Sequence, residues 1–238
     1  MMKWFPQGRR RTEAPRRQPR VAAVATTKVE FGELTPETLP FLGQAAYIQL
    51  ELFENLARAM ATAPTLADKA SLSTAARFTL RKHHRLAEEI RALDEEPALV
   101  MAPFAPAIDA FRAATTGATW HELMITNLIT AGMLDDFFIS LSGSLPDGVG
   151  SRVAAILSRR PRTDVVADAL AAAIVADPQL ASPLAMWGRR LVGDTLLVAR
   201  SALRDANARG PVDQSIEPAF TDLIAAHTRR MDSLGLTA

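Results

Sequence analysis

The sequence predicts an all-α protein: a helical bundle of four long core helices plus additional C-terminal helices, preceded by a basic tail. Three observations carry this. The chain has 238 residues of which 48% are hydrophobic, enough to bury a core in one large domain. Only 6% are aromatic, with a single Tyr, while Ala, Leu and Arg abound, a composition that favours helices over strands. Apolar residues then recur at three- and four-residue spacing through successive segments punctuated by Pro and Gly. The expected organisation is a disordered basic tail over residues 1–34 and one helical domain over 35–238.

Charge separates these two parts. Residues 1–30 hold eight Lys or Arg against Glu13 and Glu30, so the segment carries +6 in a chain whose net charge is +1. An acidic body thus carries a basic, proline-interrupted arm. Such arms grip nucleic acid or anionic surfaces by releasing counterions, which makes Arg9, Arg10, Arg11, Arg16, Arg17 and Arg20 candidate contacts for an RNA or an acidic protein partner. A solvated tail, or a start codon placed too early, is the simpler alternative. The absence of Cys excludes disulfides, thiolate zinc sites and a cysteine nucleophile. With no signal-peptide core and no run of 18 apolar residues, the expected location is cytoplasmic, without membrane spanning.

The first helix is expected over roughly residues 41–62. Leu42, Ala45, Ala46, Leu52, Phe53, Leu56 and Met60 form its apolar stripe, and Gln49 falls in the middle of it. Pro64 ends that helix; Thr65 and Asp68 read as an N-cap and a first-turn acid that open a second, over roughly 66–94. Its stripe runs through Leu72, Ala75, Ala76, Thr79, Lys82 or His83, Leu86, Ile90 and Leu93. A connection this short makes the pair antiparallel. Residues 95–118, with Pro97, Pro103, Pro106 and Gly117, form a crossover with room for one short helix around Ile108 and Phe111.

A third helix, from about Thr119 to Leu141, carries a stripe that includes Trp120, Leu123, Asn127, Ala131, Leu134 and Phe138. The turn at Gly143, Pro146, Asp147 and Gly148 leads into a fourth helix that breaks near Arg160, because Pro161 removes a backbone donor and clashes with the preceding turn. It resumes over about Thr163 to Ala176. A fifth helix over roughly 184–207 and a last one from Pro218 to Leu234 complete the chain.

Two long antiparallel pairs joined by a crossover suggest the ferritin-like arrangement, though periodicity alone does not separate it from other bundles. The run Ala63-Pro64-Thr65-Leu66-Ala67-Asp68-Lys69-Ala70, the segments Ala102-Pro103-Phe104 and Asp109-Ala110-Phe111, and Trp187-Gly188-Arg189-Arg190-Leu191-Val192-Gly193 resemble a ferritin-like family of actinobacterial proteins. That family is similar to the tRNA hydroxylase that makes methylthio-cis-ribozeatin. The resemblance spans roughly residues 36–205 and implies a bundle with a di-iron site. The site would draw a carboxylate from the first helix, a Glu-x-x-His from the second, an acid from the third, and an acid with His from the fourth. On this chain those positions fall on Gln49, on Thr79 and Lys82, on Ala131, and near Arg162.

Counting along the helices reaches the same layer without the family. Gln49 and Thr79 both lie fifteen residues from Pro64, and Ala131 and Pro161 both lie fifteen from Pro146, so each pair shares a level of the bundle. The layer offers an amide, a hydroxyl, a methyl and a proline where di-iron needs carboxylates and imidazoles. Lys82 is expected either to pair with Asp135 or Asp136 in the place of a metal or to snorkel to water. His83 and His84 point about 100° apart, so at most one faces inward, and Glu51 and Glu54 read as ordinary ion-pair partners rather than a displaced metal site. His121 and His227 receive no role.

The functional expectation is a ferritin-like protein with a degenerate metal site and no cofactor, acting as a non-catalytic binding or scaffold protein, with a homodimer as one candidate assembly. The alternative is a di-iron monooxygenase that hydroxylates a modified tRNA base. A phosphate-binding glycine loop and a Gly-x-Ser-x-Gly elbow are both missing from the sequence.

Overall fold

The computed structural model describes residues 36–146, 148–161, 164–205 and 212–238. The basic arm, including Arg9, Arg10, Arg11, Arg16, Arg17 and Arg20, lies outside the described residues, as does Arg162. Nine α-helices and no strand occur among the described residues: α1 (Thr38–Ala61), α2 (Leu66–Arg91), α3 (Pro97–Met101), α4 (Ala105–Thr115), α5 (Trp120–Ser142), α6 (Val149–Leu157), α7 (Val165–Ala176), α8 (Ala181–Asp205) and α9 (Val212–Ser233). The all-α bundle follows the sequence reading.

The α1–α2 hairpin is the most extensive pairing in the molecule. Its connection is set by Thr65, whose hydroxyl accepts the Asp68 backbone N–H at 3.1 Å and closes the first turn of α2. A second cap does the same for α5. Thr119 accepts from the Glu122 backbone N–H at 3.1 Å, and the Glu122 carboxylate accepts from the Thr119 N–H at 3.0 Å, a reciprocal capping box.

Helix α5 departs from its expected single stripe. It is buried almost all round, from Leu123 to Ser142, because it packs against α1, α6, α7, α8 and α9. It is long and apolar enough to cross a membrane, yet 72% of its apolar window is buried inside the bundle, so its hydropathy is that of a core helix. Polar tethers fix it among its neighbours: Trp120 Nε1 donates to the Ala59 carbonyl at 3.0 Å, and Trp187 Nε1 of α8 donates to Thr126 Oγ1 at 2.8 Å.

Three boundaries correct the sequence reading. The crossover holds α3, a 3-10 turn over Ala102–Phe104, and α4, because Pro97, Pro103 and Pro106 each sit in the first positions of one of these segments, where a missing N–H costs nothing. Helix α2 ends at Arg91, which leaves Leu93 beyond it and exposed rather than on the apolar stripe. Helix α9 begins at Val212, six residues before the proline that was expected to start it. The break between α6 and α7 falls where Pro161 places it.

Candidate functional site

The helix counting locates a real layer. Gln49 from α1, Thr79 and Lys82 from α2, Ala131 from α5 and Pro161 from the α6–α7 break all line one cavity of about 420 Å³. Four elements meet there because Pro64 and Pro146 set the two hairpin registers. Only the Arg162 position falls outside the described residues.

Asp135 of α5 is the centre of the layer. Its side chain is 1% exposed, and every partner it has is a donor. Gln49 Nε2 donates to Oδ1 at 2.9 Å, Lys82 Nζ donates to Oδ2 at 2.5 Å, and Arg160 Nη1 reaches Oδ2 at 3.3 Å. The Lys82 side chain is 11% exposed, so the ammonium turns inward to a carboxylate instead of snorkelling to water. A buried carboxylate needs such company, since an uncompensated charge in this medium costs several kcal/mol, of order 5 or less after relaxation.

A second carboxylate stands one residue away. Asp136 takes the guanidinium of Arg230, from α9, and is approached by Arg160 Nη2 at 3.5 Å. Arg230 Nη2 also donates to the Gly132 carbonyl at 3.1 Å. The arginine can cross α5 only because residue 132 is glycine: a Cβ there would come within 2.7 Å of the guanidinium carbon. Arg230 and Gly132 are thus residues of this layer whose contact the sequence did not reveal, since 98 residues separate them and no spacing rule links them.

Two of the residues that line this cavity each bury a polar atom without a protein partner. Asn127, 3% exposed, spends its amide N–H on the Leu123 carbonyl at 3.0 Å and leaves Oδ1 without a donor. Arg230 leaves Nη1 without an acceptor.

The donor set does not fit di-iron. Two carboxylates line the layer: Asp164 is exposed and caps α7 through the Ala167 N–H, and the oxygens of Asp135 already receive an amide, an ammonium and a guanidinium. Among the described residues, no three His, Asp or Glu side chains come together. A dication would have to displace Lys82 and Arg160 and find further carboxylates that this level does not supply.

The other acids and histidines singled out in the sequence do not line this cavity. Glu51 pairs with Arg112 of α4 at 2.5 Å rather than with Arg77 at its own level of the hairpin, and burial pushes its carboxyl up while Arg112 pulls it down. Glu54 pairs with Arg58 at 3.2 Å. His83 Nδ1 meets the Ala46 carbonyl at 2.9 Å, and burial lowers its pKa against the opposing pull of that hydrogen bond. His84 is exposed, as the angle between neighbours requires. His227, which received no role from the sequence, is buried with neither ring nitrogen bonded.

The comparison with protein families decides the lineage. A family model described as a ferritin-like domain of actinomycetes matches residues 37–212, about three quarters of the chain and all of α1 to α8. The chain belongs to this ferritin-like family. No curated protein matches it. Within the family's fold, the matched span contains the hairpin, the crossover and the broken helix that together build the Asp135 layer, while α9, which contributes Arg230, lies almost wholly beyond the match.

Proposed function

We propose that this ferritin-like protein is a non-catalytic binding protein whose bundle centre has exchanged metal ligation for an ion-paired cavity. One observation carries the reading: Lys82 stands 2.5 Å from Asp135 at the level of Gln49, Thr79 and Ala131. A lysine ammonium there supplies fixed positive charge where the tRNA-hydroxylase-like relatives suggested by the sequence would place iron, and it repels cations. The remaining groups are an amide, a hydroxyl and guanidiniums, which bind neutral or anionic molecules rather than metals.

The resemblance to the tRNA hydroxylase remains the sole support for the oxygenase alternative. Iron and manganese per chain, measured by mass spectrometry on protein purified from metal-supplemented medium, tests between the two. Near zero is the expected outcome; near two per chain would return the protein to the di-iron enzymes. The basic arm is proposed as a contact for RNA or another acidic partner, a role tested by removing residues 1–30 and measuring salt-dependent RNA affinity. Affinity unchanged by the deletion would end that role.

A further inference from the structure

A groove of about 440 Å³ runs between α2 and α6 on the outer side of the same layer. Phe78, Lys82, Arg159 and Arg160 line both the groove and the mid-bundle cavity, so these four side chains stand between the two spaces. The groove is strongly basic. Six cationic residues line it, Arg81, Lys82, Arg85, Arg152, Arg159 and Arg160, against only Glu88 and Glu89.

The pairing of those charges leaves an excess in a definite place. Arg85 is taken by Glu88 at 2.9 Å, Arg152 by Glu89 at 2.9 Å, and Lys82 and Arg160 by Asp135. Arg81 and Arg159 have no carboxylate partner among the described residues; Arg81 lies over the Phe78 ring, 5.7 Å from its centroid. Two guanidiniums left unneutralised in a concave surface concentrate positive potential, and the guanidinium fork matches the oxygens of phosphate and carboxylate. Inward of them Leu52, Leu56, Leu128 and Val166 form the apolar part of the cavity wall, beside the Lys82–Asp135 pair.

We infer that groove and cavity form one binding site for an anionic amphiphile, a small molecule with a phosphate or carboxylate head and an apolar body. The head sits on Arg81 and Arg159 in the groove. The body enters the bundle between Phe78 and Arg160 and packs on the apolar part of the cavity wall. The combined space lies in the range of small-molecule sites, roughly 300–1,000 Å³. This inference rests on the non-catalytic reading in one respect: the cavity must be open to a ligand rather than filled by metal.

The test is a calorimetric titration of the full chain, of known iron and manganese content, with dodecyl phosphate and with dodecanoate below their micellar concentrations. Saturable binding of one molecule per chain is expected for at least one of them, and the two arms tell phosphate from carboxylate. Replacing two exposed residues, Arg81→Ala with Arg159→Ala, should weaken that binding tenfold or more without touching the core. Leu128→Arg should weaken it through the body while leaving the groove intact; if that variant does not fold, the arginine pair still decides. Binding unchanged in the double variant, binding of inorganic phosphate as tight as that of dodecyl phosphate, or no saturable binding at all would each overturn the site. So would a short single-stranded RNA that binds through Arg81 and Arg159 while neither amphiphile binds, since a polyanion would then be the partner. Metal-free chain that binds no amphiphile removes the ligand and leaves the non-catalytic reading in place; chain that carries two irons removes that reading whatever the titration gives.

Discussion

Lys82 of α2 and Asp135 of α5 form a buried ion pair 53 residues apart in sequence and 2.5 Å apart in space, and Gln49 of α1 completes it from the opposite oxygen of the carboxylate. The pair fastens three helices at the middle of the bundle. Its stability contribution is not the Coulomb energy, because desolvation offsets most of that; what matters is the penalty for leaving one partner alone. Lys82→Met should therefore cost about 2 kcal/mol, less than the 3–5 kcal/mol of a fully orphaned charge, since Gln49 and Arg160 still reach Asp135. Adding Asp135→Leu to Lys82→Met should restore much of the loss. Urea midpoints for the two single variants and the double variant measure the coupling; a double variant as unstable as the sum of the singles would show that the two residues do not act as a unit.

Arg230 reaches Asp136 across a gap that only glycine leaves open. Gly132→Ala should destabilise the chain by about 1–3 kcal/mol, the range for overpacking, because the guanidinium is held by Asp136 and by the Gly132 carbonyl and cannot simply swing away. In an Arg230→Ala background the same change should be neutral or stabilising by up to about 1 kcal/mol, since alanine is the better helix former. Denaturant unfolding of the four proteins checks this, and an equal cost of Gly132→Ala in both backgrounds would remove the arginine from the explanation.

How much of this was legible in sequence depends on the range of the interaction. Thr65, Asp68 and Pro64 act on their immediate neighbours, so their reading fixed the hairpin, and rigid counting from Pro64 then put Gln49 and Thr79 on one cavity. The same counting from Pro146 brought Ala131 and Pro161 together. Helix α5 exceeded its expected stripe because periodicity reports one face, and a central helix has no solvent face to contrast with it. Glu51 found Arg112 on the crossover, 61 residues away, and Arg230 found Asp136 from a helix that packs last in the chain. Tertiary partners of that kind follow from the docking of elements, which no local spacing encodes.

His227 makes the protein sensitive to mild acid. Burial, reinforced by the neighbouring Arg230, lowers its pKa below the ordinary 6.5, and neither ring nitrogen has a partner. The unfolded chain therefore takes up a proton near pH 6.5 that the folded chain refuses. Its contribution is fully present above 6.5 and is lost as pH falls from there through the depressed folded-state value. His83, also lowered by burial, acts in the same direction. His227→Leu should raise stability at neutral pH by about 1–2 kcal/mol, by removing unsatisfied polar atoms, and should flatten the decline just below pH 6.5 while the His83 part of the slope persists. Melting temperature against pH for both proteins gives the comparison, and parallel curves would exclude His227 as a source of the decline.

Installing metal ligands in this layer is the most demanding prediction. The four positions Gln49, Thr79, Lys82 and Ala131 line one cavity, so acids and a histidine placed there would face one another. Gln49→Glu, Thr79→Glu, Lys82→His and Ala131→Glu together convert an amide, a hydroxyl, an ammonium and a methyl into three carboxylates and an imidazole. They also release Asp135 from its lysine, since the ammonium is gone. Three new carboxylates beside Asp135 repel it and one another without a cation, so the variant should be less stable than the parent when metal-free and should recover on adding cobalt(II) or iron(II), which binds only the folded state. Cobalt(II) is the convenient probe, because its visible absorption reports the ligand set directly. The parent chain should show no such band under the same conditions. If the fourfold variant folds and takes up no cobalt, the level marked by Gln49 and Thr79 is not where this fold holds metal, and the Lys82–Asp135 pair is then an ordinary core ion pair with no metal in its history.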